Sequence, residues 1–216
     1  MTSTIVPILK KLIAYDKVNV IDVGAARGSF MYELYSIFSD AGLNPETHIC
    51  SMGIDPTHIE AITKYTGFIL ACVANVENPQ EKDLYLHDDD QANSLCINVE
   101  EDGSITSRTK KVWVLNLNTL LESPHHLFAN EVIHFLKIDA EGKDLEIVES
   151  LSAETLKRIK YISMECKNGE PRYEGDRNKL ECINYMDSIG FDVCHVWNSD
   201  NESNISDVVF ENKEVL

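Results

Sequence analysis

Hydrophobic residues recur along the chain in two rhythms, broken by glycines, prolines and polar clusters. Residues 5–15 carry an apolar stripe at helical spacing and predict an opening helix with Pro7 in its first turn. Residues 18–23 form a β-branched run ending in glycine, the pattern of a buried strand. Residues 28–41 return to helical period through Phe30, Leu34, Ile37, Phe38 and Ala41, and Gly42 stands where a helix terminator belongs. Residues 48–55 predict a second strand stopped by Pro56, residues 57–65 a short helix, and residues 68–76 a third strand. Short strand-like pieces at 83–86 and 112–115 sit in polar sequence and predict a β-rich excursion over about 77–116. Residues 133–139, 143–151, 159–166 and 178–188 then predict strand, helix, strand and helix, the last closed by Gly190. Runs at 191–197 and 205–210 read as a paired antiparallel end joined by a polar loop.

Strands alternating with helices predict an α/β fold: a three-layer sandwich around a doubly wound, mostly parallel sheet, built as one Rossmann-like domain over 1–216. In such folds ligands bind beyond the carboxyl ends of the strands, where the strand order switches.

Composition narrows the function classes. Of 216 residues, 44% are apolar and 25% charged, which is ordinary for a globular domain. The net charge of −17 is not ordinary; it repels phosphate backbones and anionic lipid, so neither nucleic acid nor membrane is an expected partner. No apolar run approaches the ~20 residues that span a bilayer. Residues 1–11 lack the apolar core and cleavage site of a signal peptide, which predicts a cytoplasmic protein. The six cysteines include no CxxC and mostly lie in apolar runs, so reduced buried thiols are expected and a metal site is not.

The candidate chemistry sits at predicted strand ends. Asp22-Val23-Gly24-Ala25-Ala26-Arg27-Gly28 runs directly into a helix, with Ala26 where a dinucleotide fingerprint needs its second glycine. A small-residue turn before free helix amides suits a carboxylate, while Asp22 suits an ammonium; alternatively Gly24 and Gly28 only turn the chain. Asp55, before Pro56, is placed to grip a ribose diol or to cap the next helix. Lys137, Asp139 and Glu141 alternate onto one side at the end of the fourth strand, and Glu165 ends the next. Charges there are costly unless solvated, paired or in use, and a Lys137–carboxylate pair is the structural alternative. Asn75 follows the third strand and either approaches an adenine or turns the chain. The acidic stretch from His87 to Ser94 reads as solvated surface rather than a metal loop, as does His125-His126.

These segments resemble the FkbM-type family of S-adenosylmethionine-dependent methyltransferases. The resemblance rests on residues 21–28, Asp55-Pro56, Asn93-Ser94-Leu95, and the Leu136-Lys137-Ile138-Asp139-Ala140-Glu141-Gly142 segment with Leu145-Glu146-Ile147-Val148. It covers roughly residues 18–167. The family often has Glu-Pro where this chain has Asp55-Pro56, and Asn where it has Ala26. The resemblance implies a seven-stranded sheet with an antiparallel last strand, S-adenosylmethionine as cofactor, and O-methylation of a hydroxyl on a sugar or secondary metabolite. It implies cofactor contacts from Asp22, Gly24, Ala25, Gly28, Asp55, Pro56 and Asn75, with Asn93 and Ser94 near the pocket. A neutral alcohol needs a base, for which Asp139 or Glu141 is expected, Glu165 next, with Lys137 orienting the carboxylates. The alternatives are a Rossmann-like binding module without catalysis and, more distantly, a nicotinamide oxidoreductase.

Overall fold

The computed structural model describes residues 5–88, 92–96, 108–169, 173, 177–198 and 205–215. The chain opens with α1 (Val6–Leu9), whose first turn holds Pro7, and continues as a 3₁₀ turn over Lys10–Ala14, so the opening helix tightens half-way. β1 (Val18–Val23) is buried throughout. α2 (Ser29–Asp40) buries Phe30, Met31, Leu34, Ile37 and Phe38. It ends as its glycine dictates: Gly42 takes φ +77°, and the Gly42 and Leu43 amides donate to the carbonyls of Ser39 and Phe38.

After α3 (Pro45–His48) come β2 (Ile49–Ile54) and α4 (Ile59–Ile62). The expected third strand over 68–76 is two strands. β3 (Gly67–Ile69) adds to β2, whereas β4 (Cys72–Val73) leaves that sheet and joins a second one. That smaller sheet has the order β4-β6-β5, with β5 (Gln80–Tyr85) antiparallel to β6 (Thr109–Leu115). An unforeseen helix, α5 (Leu117–Glu122), returns the chain to β7 (Ile133–Ile138). α6 (Asp144–Glu149), α7 (Ala153–Leu156), β8 (Ile159–Lys167), α8 (Lys179–Ser188), β9 (Phe191–Asn198) and β10 (Ile205–Asn212) complete it.

The main sheet has seven strands in the order β3-β2-β1-β7-β8-β10-β9. β1, β2, β3, β7 and β8 run parallel, and the last strand, β10, is antiparallel to both neighbours. Val20, Phe135, Tyr161 and Val209 pack with α1 and α2 on one face; Ile21, Leu136, Ile162 and Phe210 pack with α5 to α8 on the other. Helices therefore cover both faces, the arrangement a parallel sheet requires. Phe38 is fully buried on the first face, where truncation to Ala would cost about 3–5 kcal/mol. The order reverses between β1 and β7, and the carboxyl ends of β1, β2 and β7 meet there.

Candidate functional site

Three backbones converge at that point. Gly24, just past β1, takes φ +72°, and a Cβ on it would lie 1.8 Å from the Asp139 carbonyl oxygen. Glycine is required here because β1 and β7 close backbone to backbone; the Asp139 amide donates to Val23 at 3.0 Å. The turn continues with positive φ at Ala26 and Gly28 before α2 begins. Asp55, at the tip of β2, pins this turn. Its Oδ2 accepts the Ala26 amide, and its Oδ1 accepts the Thr57 and His58 amides at 2.7 Å each. Asp55 is not the helix cap: α4 begins at Ile59 with His58 at its N-cap, and Asp55 instead fixes the turn ahead of it while lining the cleft.

The cleft spans about 540 Å³ with the open space of its mouth included. Gly24, Ala26, Asp55 and Pro56 form one side; Ala71, Val73, Leu84 and Leu95 form an apolar side contributed by the smaller sheet and its surroundings. Asp139, Ala140 and Glu141 close the floor, and Asn93 also lines it. Its carboxylates are Asp55, Asp139 and Glu141, with His58 beside Asp55, and no Lys or Arg lines it among the described residues. Such a wall favours a ligand that carries net positive charge. Burial, then Asp55, pushes the Cys72 thiol up to about 12, so it stays protonated.

Behind the floor runs a charged chain. Asp22 and Lys137 are register partners on β1 and β7, so their side chains share a face. Lys137 Nζ lies 3.3 Å from Asp22 Oδ1 and 3.2 Å from Asp139 Oδ2. Asp22 is fully buried, does not line the cleft, and accepts the Tyr65 hydroxyl on Oδ2. Burial raises the Asp22 carboxyl against the opposing pull of Lys137 and Tyr65. For Lys137, burial alone would lower the ammonium, but Asp139 and Asp22 override it and keep it protonated.

Glu165 and Asp207 stand opposite each other on β8 and β10, and burial, then Asp139, raises both carboxyls. Glu165 pairs with Lys167 and lines a neighbouring pocket with Asp144 rather than the main cleft. Among the other expected residues, Ala25 is buried in the core and Gly28 faces Ala61 on α4. Asn75 is exposed, its amide bonded to Glu146, away from the cleft lining. Ser94 ties the smaller sheet down: it bridges to the Tyr85 backbone and its hydroxyl donates to the Glu141 carbonyl. Lys137, Asp139 and Glu141 do not continue one strand; β7 stops at Ile138, and Glu141 and Gly142 follow with φ +47° and +97°. His126 is half-buried rather than surface, its imidazole lowered to about 4 by burial and Arg158. Asp89 and Asp90 of the acidic stretch lie outside the described residues. Within them, no group of three or more His, Cys, Asp or Glu could hold a metal ion, and no helix is long and apolar enough to cross a membrane.

Tyr65, Gly53 and Asp207 were not expected. Gly53 on β2 gives Tyr65 its seat, since a Cβ there would press within 2.9 Å of the ring. A glycine inside an apolar strand was the available signal.

Residues 22–193 match the model of the methyltransferase FkbM domain. The chain belongs to the FkbM methyltransferase family. Its chemistry is therefore methyl transfer, with S-adenosylmethionine as cofactor. No curated protein matches this FkbM methyltransferase. Among solved structures it is similar to M. capricolum TrmK in complex with S-adenosyl-homocysteine, at 10% identity and a TM-score of 0.49, over 100% of this chain and 70% of that one. It is similar to a Streptococcus pneumoniae protein, Sp1610, in complex with S-adenosyl-L-methionine, described as a putative tRNA (m1A22) methyltransferase. The identity there is 12% and the TM-score 0.46, over 100% and 75% of the two chains. The mitomycin 7-O-methyltransferase MmcR gives 11% and 0.44, over 97% of this chain and 54% of that one.

The residues present fit the cofactor. S-adenosylmethionine carries a sulfonium and an ammonium against one carboxylate, and the cleft offers carboxylates with an apolar wall.

Proposed function

We propose that this methyltransferase O-methylates a hydroxyl on a small molecule, a sugar or secondary metabolite, in a cleft where Asp139 acts as the base. One observation carries the reading: Asp139 lines the cleft, its side chain remains 42% exposed, and Lys137 holds that side chain in an ion pair. A carboxylate that is open to a ligand yet fixed in direction suits proton removal from an alcohol. Glu141 and Glu165 are the alternates, the latter from the adjoining pocket.

The cofactor would be held by the turn at Gly24 and Ala26, by Asp55 and Pro56, and by Asn93. When bound, S-adenosylmethionine supplies a methyl group on a cationic sulfur. The chain's own contribution is to align the acceptor, take its proton at Asp139, and keep the apolar side of the cleft dry. The −17 charge supports a small acceptor over a nucleic acid. Six free cysteines favour a reducing compartment such as the cytoplasm. We read residues 1–216 as one catalytic domain.

Calorimetry with S-adenosylhomocysteine tests the cofactor site; binding is expected, and its absence at hundreds of micromolar would remove the reading. A panel of hydroxylated small molecules, with tRNA as a separate arm, then tests the acceptor. Methylation of the RNA arm alone would overturn the small-molecule assignment. Cofactor binding without turnover on either arm would favour the non-catalytic module.

A further inference from the structure

Tyr65 lies outside the cleft and outside every motif, yet its hydroxyl ends on the most deeply buried charge at the site. It is 43 residues from Asp22 in sequence, 5% exposed, and donates to Asp22 Oδ2. Gly53 accommodates its ring directly, so the phenol is held by packing as well as by its hydrogen bond. Asp22 shares the single ammonium of Lys137 with Asp139, and it is fully buried whereas Asp139 is not. One cation thus serves two carboxylates, and the phenol supplies the remaining donor to the buried one.

Resting on the reading that Asp139 works in a cofactor cleft, we propose that Tyr65 is a positioning residue. By satisfying Asp22, it leaves Lys137 free to hold Asp139 toward the ligand. Without the hydroxyl, the buried carboxylate has two responses. Asp22 draws Lys137 fully onto itself and releases Asp139, or it takes a proton. The choice between them depends on pH, and the groups facing it can be named. Lys137 and Asp139 approach Asp22 from β7 and its end, and Tyr65 approaches from the β2–β3 connection. Tyr65 in turn faces Asp55 and Tyr35. The hydrogen bond from Tyr65 favours the ionised form of Asp22, so its removal moves that titration upward.

The test is Tyr65→Phe, which keeps the ring, with S-adenosylhomocysteine affinity measured by calorimetry from pH 5 to 9. The expected result is an affinity loss of a few fold at its largest, no greater than that of Asp139→Asn. The midpoint of the pH dependence should move up relative to wild type. A structural role alone would weaken binding equally at every pH. The ligand-free stability profile supplies a second readout, and its midpoint should move in the same direction. If Tyr65→Phe does not fold, Gly53→Ala displaces the same ring while keeping the hydroxyl, and the same pH shift is expected. Wild-type affinity and profile in the variant would overturn the role of Tyr65 while leaving the cofactor site standing. Absence of binding by wild type would remove the site and this proposal together.

Discussion

Asp55 Oδ2 and the Ala26 amide meet at 2.9 Å, fastening the tip of β2 to the turn that follows β1. Because Oδ1 is also engaged by two amides, both carboxylate oxygens take part in fixing the backbone. Asp55→Asn sets an NH₂ against one of these donor sets, and Asp55→Ala abandons both. Each should lower stability by about 2 kcal/mol in urea unfolding. S-adenosylhomocysteine affinity should fall at least tenfold in calorimetry, since the turn loses its anchor.

Lys137 is the sole cation within ion-pair distance of buried Asp22 among the described residues. Lys137→Met leaves that charge uncompensated and should destabilise the protein by about 3–5 kcal/mol, measured by urea unfolding. The double variant with Asp22→Asn should recover much of the loss, because it removes the stranded charge.

On the proposal that Asp139 is the base, Asp139→Asn keeps the size of the side chain and removes the base. Turnover on an acceptor found in the panel should drop by about 10²–10⁴. Affinity for S-adenosylhomocysteine should change by only a few fold. An equal loss in Glu165→Gln with Asp139→Asn unaffected would move the base to the neighbouring pocket.

Asp144, at the start of α6, has its carboxyl raised well above the ordinary range by burial first and then by Asp139, Glu165 and Glu141. The folded state therefore holds this proton longer than the unfolded chain. The associated stability is complete below the unfolded value and is lost as pH rises through the folded one. Asp144→Asn should flatten that decline, so that thermal unfolding shows the variant gaining on wild type between pH 4 and pH 8.

The sheet was legible in the sequence because its signals are local. A β-branched run closed by glycine marks β1, the stop at Pro56 marks the end of β2, and the apolar stripe from Phe30 to Phe38 marks α2. The split of residues 68–76 was not legible. The same apolar run supplies one strand to each sheet, and the choice of partner is made by β2 and β6 rather than by the run itself. Gly24 and Asp55 could be read from position alone, since strand tips of this fold face the cleft. Tyr65 could not, since a lone tyrosine after a short helix announces nothing until Asp22 and Gly53 fold against it. Asn75 is the converse case: it lies off the cleft lining, with its backbone amide donating to an unforeseen neighbour, Glu146.

Ser94 joins the smaller sheet to the carbonyl of Glu141, and so stitches an outlying wall of the cleft to its floor. That wall cannot swing outward without either severing the stitch or dragging the left-handed Glu141 backbone with it. Admission of a guest and the geometry of the acidic loop beneath it are thereby mechanically inseparable.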